Sequence, residues 1–330
     1  MLVAIVALAC STAPLAQHAT IKLATVVPDG SLWDKSLKKM GADWSVATAG
    51  RVALTVFSGG AQGDESTVLR KIRLNALQAG SLTGVGLGSI DWSFNIFSIP
   101  FFFESYDELN AVLERLTPTL KARAEAKGFV LVHWGHGGWL QVFSKKPVQS
   151  VADLKGLKLY TSGGDDKMTQ LYKSRGFQPR AMAMTDILAG LTTGMLDALP
   201  TPPVAALSFQ WYKQTPYMID IGLAPLVGAT IVARKAWEGV SPADRAKMSE
   251  IAMAVEKQLQ ADVPKQDALA VTLMSTQGLK VVKATGTEWR EEAAVLAKAM
   301  RGSMVPPDIF DLAVKERDAF RQRKAPVPPK

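Results

Sequence analysis

Few residues in this chain combine reactive chemistry with a useful spacing. His133-Trp-Gly-His136 offers two imidazoles three positions apart. No cysteine lies near them, His18 falls in the N-terminal segment, and the spacing is not that of an H-E-x-x-H zinc helix. They read as packed or surface histidines at a strand end. Gly84-Val-Gly-Leu-Gly88 lacks the G-x-G-x-x-G spacing that cradles a pyrophosphate, and it follows the third expected strand, not the first. A close-packed turn facing a cleft is the expected use. No G-x-S-x-G nucleophile elbow occurs, and the only cysteine is Cys10. Asp165 and Asp166 are adjacent, so their side chains diverge. No catalytic residue, metal or cofactor is expected.

The aromatic residues point to binding instead. Trp33, Trp92, Trp139 and Trp211 all fall at or near the ends of expected elements. Aromatics on loops at one side of two sheets would line an inter-domain cleft, a common place for a ligand. Ser89, just after the glycine run, joins this candidate set.

Those loops need a scaffold. At 330 residues the chain is near the size at which a single core divides, so two domains are expected. Ile21–Val27 alternates and reads as the first strand. Ser31 caps a helix whose Trp33, Leu37, Met40 and Trp44 share a face. Val52–Phe57 is a second strand, a helix follows from Glu65 to Ala79, and Ser81–Leu87 is a short buried strand. This alternation favours a mostly parallel sheet with helices on both faces. Asp91–Glu104 is aromatic and not helical in period. Asp107–Leu116 is one helix, a second ends at Gly128, and FVLVHW is a buried strand.

The second half repeats the alternation. Ser150-Val-Ala-Asp153 matches a capping box, Gly156 ends its helix, and Leu157–Tyr160 is a strand. Met168–Ser174 is helical and Pro179–Met184 extended. Thr185–Thr193 is helical, and Leu196–Leu199 is a strand. Ser241-Pro-Ala-Asp244 starts a helical pattern that runs to Thr276, broken only by Pro264. Such a helix is about 50 Å long, enough to lie along two domains, with a kink expected at Pro264. Helices follow over Glu288–Met300 and after Pro307.

The net charge of +8 is scattered and forms no basic stripe with interleaved aromatics, so nucleic acid is not an expected partner. MLVAIVALACSTAPLAQHA reads as a secretory leader cut near Ala16 or Ala19, which implies export to the periplasm. Cys10 is either removed with it or carries a lipid. No later run is long enough to span a bilayer.

Taken in order, IKLATVVPDGS, GRVALTVFSGGAQGDE, SIPFFF, KKPVQSVADLKGLKL and GMLDA resemble the substrate-binding proteins of TRAP transporters over nearly the whole mature chain. The resemblance implies a two-domain α/β periplasmic-binding-protein fold. Each domain is then a mixed, mostly parallel sheet flanked by helices, and a long helix contacts both. It further implies a ligand in the cleft, hinge closure around it, and delivery to membrane permease subunits. Chain crossings near Gly138, Leu226 and Pro264 divide the chain into a leader 1–19, domain I (20–137 and 226–264), domain II (138–225 and 265–320) and a flexible tail 321–330.

The departures from the family bear on the ligand. Tyr160 stands where the family usually has the arginine that forks onto a substrate carboxylate. Leu140 stands where a second arginine is frequent. Asp197-Ala-Leu-Pro-Thr201 replaces a D-G-Q-E-N segment, and Met184 replaces an aromatic. A bidentate guanidinium–carboxylate pair is strong because both charges and both oxygens are satisfied. Without it an apolar or amphipathic ligand is expected, as in a subgroup that works with tetratricopeptide-repeat partner proteins. Two alternatives stand beside this reading. One is the same fold binding a small organic acid through a relocated cation such as Arg180. The other, of a different class, is a secreted α/β hydrolase.

Overall fold

The structure, a computed structural model, describes residues 18–324. Most of the expected leader, with Cys10, and the last six residues of the expected tail lie outside the described residues. Ala19, the last residue assigned to the leader, already pairs with Val52 in the first strand.

The first half runs β1 (Ala19–Thr25), α1 (Leu32–Ala47), β2 (Val52–Phe57), α2 (Glu65–Arg73), β3 (Ala79–Thr83), α3 (Gly84–Ile90), a 3-10 turn (Trp92–Ser98), α4 (Tyr106–Ala126) and β4 (Phe129–Trp139). The second half runs β5 (Gln141–Ser144), α5 (Val151–Lys155), β6 (Lys158–Ser162), α6 (Asp166–Ser174), β7 (Gln178–Met182), α7 (Ile187–Thr192), β8 (Ala198–Thr201), α8 (Pro203–Ser208) and β9 (Tyr217–Asp220). The chain then returns through β10 (Pro225–Ala233) and α9 (Arg234–Glu238) to α10 (Pro242–Thr276). It ends with β11 (Lys280–Lys283), α11 (Glu288–Met300) and α12 (Pro307–Lys324).

Two mixed sheets result, ordered β2-β1-β3-β10-β4 and β11-β9-β5-β8-β6-β7. Each contains one strand antiparallel to its neighbours, β10 in the first and β5 in the second. These are the two strands that arrive from the other half of the chain. A strand that continues straight across a gap enters the next sheet against its direction, whereas strands joined by a crossover helix stay parallel. The crossing segments also bond to each other: Leu140 N–H donates to Ala224 O at 2.7 Å and Leu223 N–H to Leu140 O at 2.8 Å.

Several elements differ from the sequence reading. Gly84–Gly88 forms α3, not a turn. Thr83 caps it, and Glu65 accepts from the Gly86 N–H at 3.0 Å, so the glycines serve close packing. Asp91–Glu104, read as non-helical, contains the 3-10 turn, and its Phe94, Ile96, Phe97, Phe102 and Phe103 belong to the core. The two helices expected between Asp107 and Gly128 are the single α4. Pro118 removes one backbone hydrogen bond, but the buried stripe Leu109, Val112, Leu116, Leu120 and Ala124 continues past it. Likewise α10 runs unbroken through Pro264. α12 packs on α4, beside the first sheet, although the sequence reading groups 307–320 with the second half. Residues 321–324 complete α12, and Arg321 holds Glu108 through two bonds of 2.8 and 3.0 Å, so this part of the expected flexible tail is anchored.

Candidate functional site

The strands β3, β6 and β8 all end at the gap between the two sheets, where open α/β sheets hold ligands. Sequence fixes this locally in the second half. Ser150 and Asp153 form a reciprocal capping box that starts α5. Lys158 N–H at the start of β6 then donates to Asp197 Oδ2 at 3.2 Å, beside β8. Tyr160 and Thr201, near the ends of those strands, therefore face the gap together.

The main compartment encloses about 1100 Å³ of empty space, mouth included. The first half supplies Thr83, Val85 and Phe97, and the second supplies Tyr160, Pro200, Thr201 and Trp211. Leu140, Leu223 and Leu226 from the crossing segments also line it, as does Met184. Among its lining residues the one charged side chain is Asp165, and no Lys, Arg or His takes part. Burial pushes the Asp165 carboxyl up, against a hydrogen bond from Met168 N–H that lowers it. Burial likewise raises the Tyr160 phenol and pushes that of Tyr172 up to about 12, so both stay neutral donors. Glu65, behind Thr83, is a partly buried acid raised by desolvation, and it accepts from the Thr83 hydroxyl at 2.8 Å. Two lysines of the second half serve helix ends: Lys145 Nζ donates to Leu191 O at 2.6 Å and Lys158 Nζ to Gly194 O at 2.8 Å.

A second compartment of about 710 Å³, mouth included, adjoins the first and shares Thr83, Met184 and Leu226 with it. Trp33, Phe209, His133 and His136 line it. Trp33 Nε1 donates to His136 O at 2.8 Å, which fixes the indole as a wall. Burial depresses both imidazoles to about 4, so they are neutral at pH 7.

The remaining candidates lie elsewhere. Ser89 and Trp92 border a recess at the rim that shares Val85 and Asp165 with the main compartment, and there Lys167 Nζ sits 3.2 Å from the Trp92 ring centroid and donates to Ser303 O at 2.7 Å. Trp139 is at the hinge and lines neither compartment. Its ring meets Tyr106 edge-on at 5.2 Å and 88°. Arg180 is in register with Tyr160, on the edge strand β7, but it is exposed and donates to Pro179 O at 3.2 Å. It is not on the wall of either compartment.

Sequence reasoning did not single out Asp267. From α10 it accepts Val204 N–H at 3.0 Å and Trp139 N–H at 3.1 Å, and Tyr106 OH approaches at 3.5 Å. It thus ties the long helix to β4 and to the start of α8. Burial raises it to about 6, outweighing these hydrogen bonds, which lower it. A signal for it was present. Leu259, Val263, Ala270 and Met274 form the buried stripe of α10, and Asp267 stands in line with them. An acid on an apolar stripe needs donors waiting for it. Among the described residues no group of three or more His, Cys, Asp or Glu could hold a metal ion, and no helix is long and apolar enough to cross a membrane.

Residues 23–302 match the profile of the bacterial extracellular solute-binding proteins, family 7, known as DctP. A C4-dicarboxylate-binding periplasmic protein of Rhodobacter capsulatus is 25% identical over 304 residues, covering 91% of this chain and 88% of that one. A solute-binding protein of Chromohalobacter salexigens is 26% identical over 232 residues, 69% of this chain and 68% of that one. Among solved structures, a sugar-acid-binding protein of Advenella mimigardefordensis in complex with galactonate superposes with a TM-score of 0.85 at 16% identity. That match covers 92% of this chain and 99% of the other. Two mixed sheets, paired crossing strands, a long helix touching both halves and a cleft at the strand ends thus coincide with a family profile over most of the sequence: the chain belongs to family 7 of the bacterial extracellular solute-binding proteins and is a periplasmic binding protein of the TRAP type.

Proposed function

We propose that this protein captures an apolar or amphipathic ligand in the inter-domain cleft, closes around it by rotation at the Leu140 and Leu223–Ala224 crossings, and passes it to the permease subunits of a TRAP transporter. The tetratricopeptide-repeat partner implied by the resemblance belongs to this reading as a candidate carrier for such a ligand. The observation that carries the proposal is the lining of the main compartment, which is carbon, hydroxyl and one carboxyl, without a cation. A carboxylate buried there would lose several kcal/mol of hydration. Tyr160 can return about 1 kcal/mol through one neutral hydrogen bond. Apolar ligand surface, at about 25 cal/mol per Å², supplies affinity without a charge. Met184 and Trp211 suit such a body, the first by adaptability and the second as a flat wall. The protein acts by binding alone on this reading. Steady turnover of a p-nitrophenyl ester would instead support an exported hydrolase.

The test is native mass spectrometry, with solvent extraction, on protein recovered from its host. A neutral or weakly polar lipid-like mass is expected. A sugar acid or small dicarboxylate held at micromolar strength, and lost on Arg180→Ala, would establish the relocated-cation alternative instead.

A further inference from the structure

We infer that Asp165 is the counter-ion for a protonated aliphatic amine at one end of a ligand whose apolar body fills the main compartment. This rests on the proposed apolar or amphipathic ligand and specifies its polar end. Asp165 borders both the main compartment and the rim recess, so it stands where an apolar body gives way to a hydrated head. Its Oδ1 accepts from Met168 N–H at 3.0 Å and caps α6. Its Oδ2 accepts from no group among the described residues and is open to solvent. A cap needs one oxygen and no charge: Ser31, Ser150 and Ser241 cap their helices with a hydroxyl. The carboxylate therefore exceeds what the cap requires. The start of α6 carries about half a positive charge, so roughly half of the Asp165 charge stays uncompensated. Lys167 is the one cation bordering the rim recess, and its ammonium is engaged by the Trp92 ring and Ser303 O. Asp166 borders the same recess, so acids outnumber it there. A ligand carboxylate would meet Asp165 as a like charge, and a hydroxyl would leave that charge unpaired, whereas an ammonium donates to it with charge assistance. An aliphatic amine also extracts into solvent as its weakly polar free base.

The test compares decylammonium with 1-decanol by calorimetry at pH 7 and low salt, below their micelle and solubility limits, on the ligand-stripped whole protein. The two share an apolar body, and only the first carries a charge. The wild type is expected to bind decylammonium about tenfold more tightly. In Asp165→Asn, which keeps an oxygen to cap α6, the ratio of the two affinities should fall to about one. A wild-type ratio of one or less, or a preference that survives in the variant, overturns the counter-ion and, where 1-decanol binds, leaves the apolar-ligand reading standing. Failure of both molecules to bind overturns the two together. Decanoate gives a check on the wild type that avoids any folding defect of the variant. It should bind more weakly than 1-decanol, and equal or tighter binding overturns the counter-ion.

Discussion

The cleft and the hinge behind it treat charge in opposite ways. The main compartment presents the ligand with carbon, hydroxyl groups and a single acid. A few residues away, the hinge buries Asp267 with no cation beside it and surrounds it with Val204 N–H, Trp139 N–H and the Tyr106 hydroxyl. Both regions avoid ion pairs, but for different ends. At the hinge, one acid with two oxygens joins three chain segments, and directional bonds fix their geometry. In the cleft, the lining offers one carboxyl, Asp165, and no cation.

Gly138 has φ +105, and a Cβ there would collide with Asp267 Oδ2 and meet Pro202 Cβ at 2.7 Å. Gly138→Ala is expected to cost about 3 kcal/mol or more, from backbone strain and overpacking together. Urea denaturation checks this, and a loss under about 1 kcal/mol would show that the crossing segments are loosely held.

Titration sharpens the contrast. His133 and His136 sit near 4 in the native state against an ordinary 6.5, so the unfolded chain takes up protons first. Their contribution is complete above about pH 6.5 and disappears as pH falls towards 4, by about 3 kcal/mol for each ring. Asp267 has the reverse sign, because its native value of about 6 lies above the ordinary 3.8. Its contribution is present below about pH 3.8 and is lost as pH rises through 6. Stability measured by denaturant between pH 7 and 4 should therefore fall, and His133→Leu/His136→Leu should flatten that fall.

Asp267→Ala strips the acceptor from two buried backbone N–H groups and should cost about 2 kcal/mol at pH 7, with part returned because a costly buried charge also disappears. A variant as stable as the wild type would mean that the acid does not join the three segments. The smallest expected effect is at the rim. Lys167→Ala removes the contact with Trp92 that bridges the two halves, about 0.5–1 kcal/mol, and should open the cleft two- to fivefold more often. Single-molecule distance measurements across the cleft would record it.

Much of the fold was legible because its elements are periodic. The burial stripes of α1 and α10 follow from spacing, and the caps Ser31, Ser150 and Ser241 each accept a backbone N–H as expected. The strands β9, β10 and β11 were not read. β9 and β11 are four residues each, and β10 is buried along most of its length and contains Gly228, so no alternation marks it. Within the site, Leu140, Tyr160, Met184, Thr201 and Trp211 come together on one wall, and four of them were located through resemblance to a family, not through periodicity. An aromatic at an element end does not by itself declare its partner. Trp211 faces the cleft, Trp139 meets Tyr106 edge-on in the hinge and Trp92 meets a lysine at the rim. His133 and His136 read as packed or surface histidines, and the fold buries both. That each Nε2 lacks a protein partner depends on which groups the fold brings near, and spacing holds no record of that.

On the proposed reading, this cleft does not bind an anion through a charge pair. Calorimetric titration of ligand-stripped protein with galactonate and with succinate tests it most directly. Absence of saturable binding below about 1 mM for both is the expected result, given the desolvation a carboxylate would suffer beside Tyr160 and Asp165. Micromolar binding of either acid would contradict the account.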